Sequence, residues 1–218
     1  MLLPIPNKWT QQPQIVTGVD WENSITLGLV SAWSAPHNTY FGFGKCNLIG
    51  TVDVAINGLK GRSTFNAASN TELPVGAFSS AGVETRIAVI TATGAAVRGT
   101  ISARGIGDIG FRISVTGAIQ VYLAGVGGLY DGAVVPIGRS SVAAILNDGT
   151  DSRLYQDGKQ TSSGAGGPML GNPIIGDDRT NEYFPGVIHA HFAFSRLLTP
   201  TEITSISVNP WQVFRPLV

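Results

Sequence analysis

Ser141-Val142-Ala143-Ala144-Ile145-Leu146 runs into Asn147-Asp148-Gly149, and Ser152-Arg153-Leu154-Tyr155-Gln156 runs into Asp157-Gly158. β-branched and apolar residues bounded twice by Asp-Gly make this stretch decisive for the fold. Asp-Gly supplies two residues that tolerate positive φ, as type I′ turns require to match the twist of paired strands. A hairpin of two strands is predicted here. Upstream, Phe111-Arg112-Ile113-Ser114-Val115-Thr116 alternates apolar with polar, breaks at Gly117, and resumes as Ile119-Gln120-Val121-Tyr122-Leu123. That period of two is the mark of half-buried strands, here a hairpin around Thr116-Gly117.

Working outward, β-like runs recur at Leu29–Trp33, Thr85–Thr91, Arg98–Ala103, Pro173–Gly176 and Val187–Phe194. Short strands with turn chemistry between them predict an all-β sandwich or barrel. In Val187–Phe194, Ile188, Ala190, Phe192 and Phe194 share one face, and Val187, His189, His191 and Ala193 the other. Such a strand is either covered on both sides or reset in phase by a bulge. A single helix is predicted, where Thr199-Pro200-Thr201-Glu202 forms a capping box with proline at the first position and Asn209-Pro210 ends it. Residues 1–28 carry Pro4, Pro6 and Pro13, a Gln-rich stretch and little alternation, and read as an extended N-terminal arm before a domain at 29–218.

Composition narrows the function. In 218 residues, 14 Lys+Arg balance 14 Asp+Glu, and charged residues make up 13%, about half the usual ~25%. With no basic cluster there is no electrostatic footprint for nucleic acid. No apolar run is long enough to span a bilayer, so membrane insertion is not expected. Cys46 is alone, which excludes an internal disulfide and a cysteine metal cluster. Prolines interrupt Met1-Leu2-Leu3-Pro4-Ile5-Pro6 before a signal-peptide apolar region builds, so no leader is expected.

Motifs of catalysis are thin. Gly105-Ile106-Gly107-Asp108-Ile109-Gly110 matches a dinucleotide fingerprint as a string. An alternating strand follows it instead of the helix that would receive a pyrophosphate, so it reads as a Gly-rich bend. No G-x-S-x-G elbow occurs. His189 and His191, at i and i+2 of a strand, offer a two-nitrogen metal edge without an evident third ligand, and read as packed sheet histidines. The acids are dispersed, with Asp20/Glu22 the one i,i+2 pair, so the paired carboxylates of a glycosidase are not found. The densest polar cluster is Asp177, Asp178, Glu182 and Tyr183, a loop where oxygens and an aromatic converge. It is the candidate glycan or cation loop.

Leu154-Tyr155-Gln156-Asp157-Gly158-Lys159, followed by Phe184-Pro185-Gly186-Val187-Ile188 and Phe194-Ser195-Arg196-Leu197-Leu198-Thr199-Pro200-Thr201-Glu202-Ile203, resembles the hairpin and closing signature of laminin-G-like, concanavalin A-like jelly rolls. Asp20-Trp21, Gly28-Leu29-Val30-Ser31-Ala32-Trp33 and Asn209-Pro210-Trp211-Gln212-Val213-Phe214 resemble a subset met in tailed-bacteriophage structural proteins. The resemblance runs from about residue 20 to 216. It departs from the family at Arg139-Ser140-Ser141-Val142-Ala143, which lacks the usual Trp-His-His, and calcium ligands cannot be carried over.

The resemblance implies a two-sheet antiparallel β-sandwich of concanavalin A-like jelly-roll type, with an extended arm and one short C-terminal helix. It implies a non-enzymatic virion protein: a capsid decoration, head-fibre or tail accessory subunit, made in the host cytoplasm. Expected partners are other virion proteins and copies of itself, a trimer being favoured, through Trp9, Trp21, Trp211 and Phe214, with host surface glycan a further ligand. No catalytic residue, metal or cofactor is expected. The alternative is a carbohydrate-binding lectin-like module.

Overall fold

The computed structural model describes residues 16–34, 39–42, 47–48, 54–56, 59–61, 71–72, 82–94, 99–103, 108–123, 127–168, 174–176 and 182–216. In chain order the strands begin with β1 (Val16–Val19), β2 (Leu29–Ser34), β3 (Thr39–Gly42), β4 (Asn47–Leu48), β5 (Val54–Ile56) and β6 (Leu59–Gly61). There follow β7 (Thr71–Glu72), β8 (Val83–Ala92), β9 (Gly99–Ala103), β10 (Ile109–Ile113), β11 (Ala118–Leu123) and β12 (Gly127–Val134). The rest are β13 (Ser140–Asp148), β14 (Asp151–Gln156), β15 (Lys159–Ala165), β16 (Ile174–Ile175), β17 (Gly186–Phe194), α1 (Pro200–Val208) and β18 (Phe214–Pro216). Two seven-stranded sheets result, ordered β15-β14-β13-β8-β17-β2-β3 and β12-β11-β10-β9-β16-β7-β4. Every paired strand is antiparallel, and the architecture is the two-sheet sandwich of a concanavalin A-like jelly roll.

The central strands of the first sheet are buried on both faces. Its inner face sends Trp33, Ala88, Ile90, Ile145, Leu154 and Ile188 against Ile101, Ile109, Phe111, Ile113, Ile119 and Val121 of the second sheet. Its outer face sends Ile87, Val89, Ala144, Ala190, Phe192 and Phe194 against Ile203 and Ile206 of α1, with Leu59, Val213 and Phe214 closing over them. Two cores sharing one sheet explain why β8 and β17 read as near-continuous apolar runs rather than alternating ones.

Of the two explanations for the mixed faces of β17, both operate. A register shift lies between Ile188 and Ala190 against β8, so Ile188 pairs with Ile90 while Ala190 pairs with Val89. Ile188 therefore joins the inner core and Ala190 the outer one. The inserted residue is His189, the extra position of a bulge.

The two Asp-Gly turns differ. At Asp157-Gly158 both residues have positive φ, 50° and 82°, the type I′ arrangement. At Asp148-Gly149 only the glycine does. There the Asp148 carboxylate accepts from the Thr150 and Asp151 amides at 2.9 and 2.7 Å and turns the chain itself. Helix α1 starts as expected. Thr199 Oγ1 accepts from the Glu202 amide at 3.2 Å and Glu202 Oε2 accepts from the Thr199 amide at 2.7 Å.

The N-terminal segment departs from expectation. Residues 1–15, with Trp9, lie outside the described residues, but from Val16 onward the chain is part of the domain. The β-branched Val16-Thr17-Gly18-Val19 pairs antiparallel with β18, and the Asp20 amide donates to the Val213 carbonyl at 2.9 Å. Trp211 and Phe214, expected to meet neighbouring subunits, are 4% and 3% exposed within the outer core. Their apolar area is already spent inside this chain. Of the four aromatics expected at contacts, Trp21 lies exposed, at 65%.

Candidate functional site

Asp177 and Asp178 lie outside the described residues. Glu182 and Tyr183 run alongside β9: the Thr100 amide donates to the Glu182 carbonyl at 2.8 Å and Thr100 bridges Tyr183 in parallel. Tyr183 packs on the inner core. Glu182 instead meets Arg112, on the face of the second sheet turned away from the first, in an ion pair between Arg112 Nη1 and Glu182 Oε2.

That pair begins a row across the sheet. Phe111 and Ile113 fill the inner core, so the pleat turns Arg112 outward between Thr100 and Gln120. Arg112 Nε donates to Gln120 Oε1 at 2.8 Å, and Gln120 Nε2 donates to Asp131 Oδ1 at 2.6 Å. The Arg112 guanidinium lies 4.4 Å from the centroid of the Tyr122 ring, a cation–π contact. The Tyr122 hydroxyl is hydrogen-bonded to Thr100 Oγ1 at 2.9 Å. Arg112 is buried, Glu182 and Gln120 half-buried and Asp131 exposed. The result is a preorganised polar line whose outer end, the Asp131 carboxylate, keeps lone pairs for hydroxyl donors.

Arg112, Gln120, Tyr122 and Asp131 were not singled out by motif. The signal was present, since Arg112, Gln120 and Tyr122 are the polar positions of the two alternating strands around Gly117. What sequence spacing could not supply is the partner of Arg112, 70 residues away.

A second polar cluster sits inside the sandwich. Arg86, buried on β8, pairs with Glu84 through Nε and reaches Asp108 Oδ2 at 3.4 Å. His191 Nε2 is hydrogen-bonded to Ser102 Oγ at 3.0 Å, while His189 Nε2 meets Thr91 Oγ1 at 2.9 Å. The β17 bulge thus sends the two histidines to opposite faces of the first sheet, and they do not form a metal edge. Among the described residues no group of three or more His, Cys, Asp and Glu is placed to hold a metal; Cys46 lies outside them.

Burial pushes the Glu84 carboxyl up to about 7 in spite of Arg86, with the Asp108 charge adding to the rise. Burial, and then the Arg86 charge, push His191 down to about 3. Although burial disfavours a charge on Arg86, Glu84 and Asp108 hold it protonated beyond its usual range. The folding consequences run in opposite directions. Between 4.5, the ordinary carboxyl value, and about 7, folded Glu84 keeps a proton that the unfolded chain has lost, so its contribution falls as pH rises. Between 6.5 and about 3, folded His191 refuses a proton that the unfolded chain takes, so its contribution falls as pH drops. Hydrogen bonds from Arg196 hold Glu202 down at about 2, which adds to the acid limb. Stability is expected to be flat from about pH 4.5 to 6.5 and to decline on either side. Urea midpoints measured across that range test this. Glu84→Gln should flatten the alkaline decline, and a wild-type midpoint that rises from about pH 5.5 to 8 overturns the assignment.

The fold and the polar row define an all-β jelly-roll sandwich with the central strands of one sheet buried on both faces and a hydrogen-bonded polar row on the other sheet. The family model of the concanavalin A-like lectin/glucanases superfamily matches residues 55–204, and the chain belongs to that superfamily. Comparison with curated proteins at the level of sequence gives no match. Among solved structures, Trypanosoma rangeli sialidase in complex with sialic acid is similar at TM-score 0.64 and 12% identity, over 85% of this chain and 33% of that one. The chain spans about a third of the sialidase's length. Domain 4 of AbnA, a GH43 extracellular arabinanase from Geobacillus stearothermophilus, in complex with arabinotriose, is similar at TM-score 0.63 and 17% identity, over 82% of this chain and 98% of that one. At these identities the likeness is one of fold.

Proposed function

We propose that this chain is a carbohydrate-binding, lectin-like module without a catalytic centre of its own, and that the outward row on the second sheet is its recognition face. The observation that carries the reading is the fixed line Glu182–Arg112–Gln120–Asp131. Sugars are bound by planar polar groups held in place before the ligand arrives, and this line supplies a carboxylate, an amide and a buried guanidinium that holds both. The arabinanase domain, a module of nearly the same extent in complex with arabinotriose, supports the class of ligand. Neither the fold nor the comparisons support a role in a phage particle or a trimer, and Trp211 and Phe214 of the end motif are occupied in this chain's own core.

An array of neutral and acidic glycans, followed by calorimetry on the retained ones, tests the proposal. Asp131→Ala is expected to weaken binding about 10-fold or more, since a hydrogen bond to a charged group is worth ~1.5–3 kcal/mol. Its exposed position should leave thermal unfolding unchanged. Retention of no glycan by the wild-type protein, or equal affinity of the variant, overturns the assignment.

A further inference from the structure

At the far side of the molecule from the polar row, between β1 and β2, the chain folds into a short turn that opens a cavity of about 340 Å³, lined by Trp21, Asn23, Ser24, Thr26, Leu27 and Leu29. We infer that this cavity is a second saccharide site, taking one neutral pyranose ring stacked on Trp21. Trp21 presents 65% of its surface to solvent, although burial of an indole is strongly favoured, and it stands at the mouth of a cavity at the small end of the range for ligand sites.

The turn is held rigid from every side. Asn23 Nδ2 donates to the Gln212 carbonyl at 3.2 Å, and its Oδ1 accepts from the Ile25 amide at 3.1 Å. Thr26 Oγ1 donates to the Asp20 carbonyl at 3.0 Å, and Arg196 Nε donates to the Leu27 carbonyl at 2.6 Å. Arg215 pairs with Asp20 at 3.2 Å and Glu22 at 2.9 Å on either side of the tryptophan. A rigid aromatic surface loses little conformational entropy when a ligand covers it.

The flanking charges select the ligand. Asp20 and Glu22 against Arg215 leave one net negative charge beside the ring, with the Glu22 side chain 86% exposed. Carboxylates accept hydroxyl hydrogens and repel anionic sugars, so a neutral ring is favoured over an acidic one.

The inference stands apart from the reading of the second sheet, and its test separates them. Methyl β-glycosides of glucose, galactose and N-acetylglucosamine are titrated into the full chain while tryptophan emission and saturation-transfer NMR are recorded. At least one should bind saturably with a dissociation constant of about 1–10 mM, and sialic acid should not. Trp21→Ala should abolish this binding without moving the unfolding temperature, Trp21→Phe should weaken it several-fold, and Asp131→Ala should leave it intact. No saturable binding up to roughly 50 mM overturns the inference, as does unchanged binding by Trp21→Ala. A change in solution mass on Trp21→Ala, read by light scattering, would instead make the turn a protein contact and also overturns it.

Discussion

Arg86→Met is expected to cost about 3–5 kcal/mol of folding free energy, the loss that follows when one partner is removed from a buried charge cluster. Arg86 and Glu84 are 0% and 1% exposed, and Asp108 is 1% exposed. With the guanidinium gone, two carboxyls face each other in a dry interior with no cation between them. They can escape only by taking protons. Glu84 is already protonated in the fold below about 7, and loss of Arg86, which lowers it, pushes it higher still, so the penalty should be smaller below about pH 7 and grow above it. Removing all three charges at once, as Glu84→Leu, Arg86→Met and Asp108→Leu, should recover most of the loss, because a well-packed apolar replacement of a whole cluster is near neutral. Urea unfolding of the single and triple variants at two pH values decides the matter. A single-variant loss under about 1 kcal/mol would show that the cluster is solvated and not a buried charge site.

Why such a cluster sits there was not legible in the chain. Glu84 and Arg86 are two apart on one face of β8, a pattern that a surface strand would also show. Only the second core, built by α1 and the C-terminal residues over the outer face, makes β8 a central strand with no wet side. That layer covers Ile87 and Val89, while Arg86 lies on the inner face, where the second sheet and Asp108 leave it no wet side. The bulge at His189 is hidden for a related reason. Its effect is a one-residue change of phase, and in a strand buried on both faces the apolar pattern does not reveal phase. The same layer explains the misplacement of Trp211 and Phe214, since an aromatic near a chain end looks free until the surface it covers is known.

Local chemistry was more readable. The capping box at Thr199 and Glu202 formed as spelled, because its partners lie three residues apart. The hairpins β10–β11, β13–β14 and β14–β15 formed because their turns carry Gly117, Gly149 and Gly158 at positive φ. Even so, the two Asp-Gly pairs reached their turns by different backbone routes. The polar row was half legible: Arg112, Gln120 and Tyr122 stand out by alternation, but Asp131 and Glu182 are brought to them only by the neighbouring strand and by the segment beside β9.

Gly186 shows how a motif position acquires a physical reason. It belongs to Phe184-Pro185-Gly186-Val187-Ile188 and starts β17 opposite Ala92 of β8. A Cβ there would lie 2.2 Å from the Thr91 carbonyl oxygen, 2.8 Å from Phe184 Cε1 and 2.9 Å from Ala92 Cα. Two of these three are backbone atoms of a central strand that is itself locked between β17 and β13, so no side chain can swing away to make room. Gly186→Ala is therefore expected to destabilise by about 3 kcal/mol or more, beyond the usual cost of an added methyl group in a packed core. Gly94 is the matched comparison: a Cβ there meets nothing within 4 Å, and it is not among the glycines with positive φ. Gly94→Ala should be neutral or stabilise by up to ~1 kcal/mol through the unfolded chain. The two variants add the same methyl group to the same residue type within one domain, so the difference between their urea midpoints isolates the close approach of β17 to β8. Should Gly186→Ala unfold within about 1 kcal/mol of Gly94→Ala, the two strands must be able to part at that end, and close approach would not be what requires the glycine.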